Sequence, residues 1–454
     1  MARCLSRYAA LASLLLAACQ QQPGPIGAIP DVGGKADEIA GQDAGSDAGD
    51  DLSIVAGGSL VLAGGGKAPD VFYQTIIDLA GGAARARIGI ITAGSVPESQ
   101  DPDASTPAAY NARANGQWYV DKLGDMGVAR VSWIPVDLDH VANNAAPGVV
   151  QQARSMTGFI FGSGDQSRII ACLVLPGGQD SPLLAAIRQR LAAGAVVAGT
   201  SAGTAVQPVG AMVTGGESYE ALRYGPQTTH DPHAPDRLTY RAEGGLGFFT
   251  HGLIDTHFCE RGRQGRMIRL AADTGASLAF GVDESTALVV EHAGTAATEM
   301  RVIGAHGVTV LDLSAATVGS GSPWSITGVA LTYLSRGDRY LPAAGTLVPP
   351  AWKTPLAGRE YYTSPLVPSN DIFSSPNNLF GGERKNPREL VQVASRLVDH
   401  QSASSTHGLT HETGPTFKVT LTRSAALGTE GFQGHEQGEN VYAFSRLGLA
   451  IGAP

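Results

Sequence analysis

Short, almost continuously apolar runs recur along the first half of this chain, each separated from the next by a helical stretch, and they constrain its fold more than any other feature. The runs are Leu60-Val61-Leu62-Ala63, Ile88-Gly89-Ile90-Ile91, Val131-Ser132-Trp133-Ile134, Gly158-Phe159-Ile160-Phe161 and Ala195-Val196-Val197-Ala198. Strands without polar alternation must be covered on both faces, which helical crossovers achieve. The expected fold class is therefore α/β, a mostly parallel sheet flanked by helices. Several runs end on Gly64-Gly65-Gly66, Thr92-Ala93-Gly94 or Gly162-Ser163-Gly164. Such carboxyl ends are where open α/β sheets gather ligands.

The stretch before the fifth run is a well-specified helix. Ser181 can cap it, Pro182 takes its first position, Leu183, Leu184, Ile187 and Leu191 share one face, and Gly194 stops it. Strand-like runs resume at Ala287–Val290, Val308–Leu311 and Val329–Leu331, so the sheet should extend to about Leu341. Beyond that the composition shifts to Pro, Ser, Asn and Gly. One helix is expected there, capped by Asn386, started by Pro387 and apolar at Leu390, Val391, Ala394, Leu397 and Val398. Phe417, Val419 and Leu421 alternate like a strand. Residues 345–454 thus read as a small C-terminal α+β appendage to a domain spanning 58–344.

The N-terminus carries its own signals. Arg3 and Arg7 precede an apolar stretch, Tyr8 to Ala18, too short to span a bilayer comfortably. It closes Leu16-Ala17-Ala18-Cys19, which resembles the lipobox of bacterial lipoproteins. That resemblance implies removal of residues 1–18 and acylation of Cys19. The protein would then be exported and lipid-anchored, on the outer membrane, facing periplasm or cell surface; plain secretion is the alternative. Residues 19–57 are rich in Gly, Ala and Asp and read as a tether. Cys172 and Cys259 remain as a candidate disulfide or as two buried thiols.

Gly199-Thr200-Ser201-Ala202-Gly203 follows the fifth apolar run and precedes small residues. This is the layout of a nucleophile elbow, a strand-to-helix turn that exposes one serine hydroxyl. The N–H of Ala202 opens a helix and can meet an oxyanion. A serine needs a base, and the best-placed histidine is His257, in Ile254-Asp255-Thr256-His257-Phe258. Arg261, Arg263 and Arg266 follow within nine residues of it. Guanidinium forks there would suit a carboxylate. The orienting acid is Glu284 or its neighbour Asp283, which spacing does not separate. Gly164, in the loop after the fourth run, can supply a second oxyanion N–H, and Gln166 a substrate hydrogen bond. His230 and His233, and His407 and His411, lack the helical spacing of a metal site. No metal or cofactor is expected, and a net charge of −9 gives no reason to expect nucleic acid.

These motifs, in this order, resemble the cyanophycinase family of serine peptidases. The matching residues are Gly164-Asp165-Gln166, the Gly199–Gly203 elbow, Asp255-Thr256-His257-Phe258, the three arginines, and Asp283-Glu284-Ser285-Thr286-Ala287, across roughly residues 58–341. The order Ser, His, Glu separates this chain from α/β-hydrolases, whose acid precedes the histidine. The resemblance implies a flavodoxin-like or glutamine-amidotransferase-like sheet. It implies Ser201 as nucleophile, His257 as base and Glu284, rather than Asp283, as orienter. It implies a substrate pocket of Gln166, Asp255, Thr256, Arg261, Arg263 and Arg266. Where the family has Gln before the histidine, this chain has Thr256, which keeps a hydroxyl and loses the amide's reach. The implied partner is a polymeric aspartyl/arginyl peptide; a homodimer is compatible with the chain. Two other readings stand beside this one: an aspartyl dipeptidase, and a non-enzymatic surface lipoprotein that binds an anion.

Overall fold

The computed structural model describes residues 57–376, 384, 386–436 and 438–454. The signal segment, Cys19 and nearly all of the tether lie outside these residues. No helix among the described residues is long and apolar enough to cross a membrane.

The chain runs from β1 (Ser59–Ala63) through α1 (Asp70–Leu79), β2 (Arg87–Ile91), α2 (Ala112–Asp125), β3 (Arg130–Trp133) and α3 (Pro147–Arg154) to β4 (Gly158–Phe161). Helices α4 (Gln166–Leu173) and α5 (Pro182–Ala192) lead to β5 (Val196–Thr200), the one-turn α6 (Ala202–Ala205) and α7 (Ser218–Tyr224). Next come β6 (Leu253–Thr256), α8 (Gln264–Thr274), β7 (Leu278–Val282), β8 (Thr286–Glu291) and β9 (Glu299–Gly304). Strands β10 (Gly307–Asp312), β11 (Ile326–Ser335), β12 (Arg339–Leu341) and β13 (Thr346–Val348) follow. The chain closes with α9 (Glu389–Val398), β14 (Ser405–Leu409), β15 (Lys418–Thr422), β16 (Glu430–Glu436) and β17 (Glu439–Gly452).

The first sheet orders its nine described strands β13-β12-β9-β8-β1-β5-β4-β2-β3. From β1 to β3 every pairing is parallel, and all five strands come from the apolar runs. This is the expected α/β half. Residues of β1, β4 and β5 are buried almost throughout, because α1 and α2 cover one face and α5 the other. Helix α5 begins as its sequence indicates, with the Ser181 hydroxyl accepting from the Leu184 N–H at 3.2 Å. On the other side of β1 the sheet continues antiparallel through β8 and β9.

A second sheet orders its main strands β6-β7-β10-β11-β17-β15-β14. The runs Val308–Leu311 and Val329–Leu331, expected to extend the first sheet to about Leu341, form β10 and β11 here instead, because both pair with each other and with strands of this sheet. Here the structure departs from the expected boundary at residue 345. The C-terminal segment contains an α-helix and strands as expected, but β14, β15 and β17 extend this sheet rather than forming a separate body. Strand β17 lies along β11 with Leu331 opposite Leu447 and Ile326 opposite Ile451. Without it β11 would be an open edge. Phe417, Val419, Leu421, Phe444 and Leu447 share one core with α9 and with Phe258 and Cys259. Burying each such side chain stabilises the fold by about 1.5–3 kcal/mol, so the segment is bound in by its own apolar face. Helix α9 buries the expected residues but starts at Glu389, not Pro387, because Arg388 holds a left-handed φ of 68°.

Candidate active site

Ser201 follows β5 directly and holds φ 53°, ψ −116°, a backbone conformation that an L-residue adopts only under constraint. The constraint is close packing on both sides. A Cβ on Gly199 would lie 2.1 Å from the Gly203 carbonyl oxygen, and one on Gly203 would lie 2.1 Å from that of Phe161. Only glycines let the turn close against β4. The carbonyl of Ser201 accepts the N–H groups of Thr204 and Ala205, which starts α6. Ala202 occupies the first helical position, where an N–H has no intrahelical acceptor.

His257 comes from the end of β6, in the second sheet, and Glu284 from the link between β7 and β8, where the chain passes from one sheet to the other. The three side chains meet. Ser201 Oγ is 2.9 Å from His257 Nε2, and His257 Nδ1 is 2.6 Å from Glu284 Oε1. The loop Gly64–Gly66 after β1 wraps the pair. Gly64 O accepts from His257 N–H at 2.8 Å, and Gly65 O from Ser285 N–H at 2.9 Å. Gly65, at φ 96°, lies flat against the imidazole: a Cβ there would be 2.4 Å from His257 Cε1. Burial, and next the Arg261 guanidinium, push the His257 pKa down to about 4, against the pull of Glu284. The imidazole is therefore neutral at pH 7 and able to take a proton from the serine.

No protein-family model matches the chain. The cyanophycinase of Nostoc sp. is 31% identical to it over 276 residues, 59% of this chain and 79% of that protein. That of Synechococcus elongatus is 30% identical over 292 residues, 62% and 78% of the respective lengths. The chain belongs to the cyanophycinase family. It is a peptidase. A crystal structure of a peptidase from an acI-B1 Actinobacterium superposes with a TM-score of 0.39 at 20% identity, over 56% of this chain and 90% of that one.

Around the triad, this cyanophycinase-family chain separates residues that the sequence grouped together. Arg261 is exposed, with Nε 4.0 Å from Glu284 Oε1. Arg266 is buried and grips Asp255 through two bonds of 2.8 Å, while its third nitrogen donates to Gly216 O. Asp255 is itself 1% exposed. Burial opposes its ionisation, but Arg266 and Arg263 hold its carboxyl below the ordinary range. Arg263 also donates to Thr256 O at 2.7 Å. Burial first, and Arg266 second, lower its pKa to about 9. Asp255, Thr256 and Arg266 thus lie beneath the site, where they brace the strand end that carries His257. Gln166 is half-buried and donates its amide to Val213 O at 2.8 Å. Gly164 lies in an exposed loop, packed so close to Gly94 that a Cβ would clash. Cys172 and Cys259 are both buried and free.

The structure also separates Asp283 from Glu284. Asp283 is fully buried and turned away from His257. Its Oδ1 accepts from Cys259 N–H at 3.0 Å, and its Oδ2 from the Tyr333 hydroxyl at 2.8 Å and Arg388 Nη1 at 2.9 Å. Sequence reading missed Gly65 as the backing of the imidazole, although the glycine run was visible as a strand end. It also missed Glu260 and Arg388. Glu260 lies among the arginines with nothing in the sequence to mark it, and Arg388 is 131 residues from His257 with no local signal.

Proposed function

We propose that the protein hydrolyses cyanophycin, a poly-aspartate whose side-chain carboxyls each carry an arginine in isopeptide linkage, and releases β-Asp-Arg. Ser201 Oγ attacks a backbone aspartyl carbonyl while His257 Nε2 takes its proton. The tetrahedral oxyanion is met by the Ala202 N–H and a backbone N–H near Gly164. Collapse expels the amine, which leaves with the proton from His257, and an acyl-enzyme remains on Ser201. Water, deprotonated by the same imidazole, then releases the acid product. Glu284 holds the Nδ1–H and so the ring's tautomer and orientation.

The observation that carries the substrate assignment is Arg261. Among the three arginines after the histidine it is the exposed one, and it stands beside the triad. Each unit of the polymer presents a free arginine carboxylate, which a guanidinium fork fits. Incubating the chain without residues 1–19 with insoluble cyanophycin should release β-Asp-Arg, and Ser201→Ala should abolish that release. Arg261→Ala should lower kcat/KM by about 10–100-fold, the worth of one charge-assisted hydrogen bond, with most of the effect in KM. Release of free arginine instead of the dipeptide would refute backbone cleavage. We further propose export and anchoring through acylated Cys19; palmitate labelling lost in Cys19→Ala is the expected result.

A further inference from the structure

We propose that Arg388, from the C-terminal segment, is a positioning residue for the triad: one guanidinium bridges the loop after His257 to the loop carrying Glu284. The proposal rests on the triad reading above.

Two carboxylates besides Glu284 crowd this place. Glu260 lies three residues after His257, and Asp283 immediately precedes Glu284. Glu260 Oε2 accepts the backbone N–H of Glu284 itself, at 2.9 Å. That bond sets where the Glu284 main chain sits. Arg388 Nη1 then reaches both acids, Glu260 Oε1 at 2.9 Å and Asp283 Oδ2 at 2.9 Å. Its Nη2 donates to the Tyr333 hydroxyl at 2.7 Å, and Tyr333 donates to Asp283. Its backbone N–H donates to Cys259 O at 2.9 Å, which holds the left-handed turn before α9. A second arginine of the same segment, Arg384, seats it further by pairing with both oxygens of Glu217.

Removing the guanidinium strands a buried carboxylate, Asp283, beside a half-buried one, Glu260. Burial and the Asp283 charge already push Glu260 up to about 7, with Arg388 pulling the other way. Without Arg388, Glu260 must take a proton or swing toward water. Either response loosens the Glu284 N–H from its acceptor and shifts the carboxylate that orients His257. A lysine in its place offers a point charge on a flexible stem and cannot hold the same fork. The C-terminal segment is on this account part of the catalytic apparatus and not a separate module.

The test measures labelling of Ser201 by a fluorophosphonate in the full chain, because that reaction needs an activated serine whatever the natural substrate. Arg388→Met should label about tenfold or more slowly, as expected for a sub-ångström shift of a catalytic group. On the polymer, kcat should fall in parallel while KM stays near the parent value. Arg388→Lys should fall between the two. Adding Glu260→Gln to Arg388→Met should recover part of the rate, since it removes one stranded charge and keeps a carbonyl acceptor for Glu284 N–H. Equal labelling by parent and folded Arg388→Met overturns the proposal and leaves the triad standing. If Arg388→Met fails to fold, Arg388→Lys decides alone, and a parental rate there overturns it. A parent chain that does not label at all overturns the triad reading and this proposal with it.

Discussion

Gly65→Ala tests the site at its tightest contact. The added methyl would lie 2.4 Å from Cε1 and 2.5 Å from Nε2 of His257, where ordinary contact begins near 3.4 Å. The glycine loop cannot easily yield, because Gly64 N–H donates to Thr286 O while Gly64 O and Gly65 O accept from His257 and Ser285. The imidazole must therefore retreat by about 1 Å, and a displacement of that size at a reacting group costs about 100-fold in rate, or about 2.7 kcal/mol of transition-state stabilisation. It would also break the 2.9 Å bond to Ser201 and strain the 2.6 Å bond to Glu284. Alanine at φ 96° should lower stability by a further ~1–2 kcal/mol, too little to unfold a domain of ordinary stability. The assay is kcat/KM for dipeptide release together with the phosphonate labelling rate, with Tm as the check on folding. A folded Gly65→Ala chain within twofold of the parent in both would refute the reasoning.

Two further outcomes follow from the same geometry. Because burial and Arg261 depress His257 to about 4, its neutral form persists as pH falls. The acid limb of kcat/KM should therefore stay flat through the ordinary histidine range near 6.5 and fall only near pH 4, and Arg261→Ala should move that limb upward; a limb at 6.5 in the parent would contradict this. Arg266→Met leaves the Asp255 carboxylate buried without its bidentate partner and should cost about 3–5 kcal/mol by denaturant unfolding, most of it regained by adding Asp255→Leu; a loss under 1 kcal/mol would show that the pair does not brace the strand.

The parallel half of the first sheet was legible because its signal is local. A fully buried strand must be apolar along its length, and the glycines at its end must be where the next element crowds in. The Gly199–Gly203 elbow, the Ser181 cap of α5 and the apolar face of α9 belong to this class. The strands β10, β11 and β15 of the second sheet were legible one by one but their assembly was not, because strands such as β11 and β17 pair across more than a hundred residues and carry no mark of their partner.

The site divides along the same line. The residue types Ser201, His257 and Glu284, their order, and the arginines after the histidine were determined by sequence, since nucleophile, base and anion-binding chemistry each require particular functional groups. Which groups are exposed beside Ser201 and which lie beneath was decided only by tertiary structure. Arg261 and Arg266 are five residues apart and chemically identical, yet one is exposed and the other is held by Asp255. Asp283 and Glu284 are adjacent, yet one turns inward to Arg388 and the other outward to His257. Burial and pairing across distant segments set those roles, and neither is a property of the residues taken along the chain.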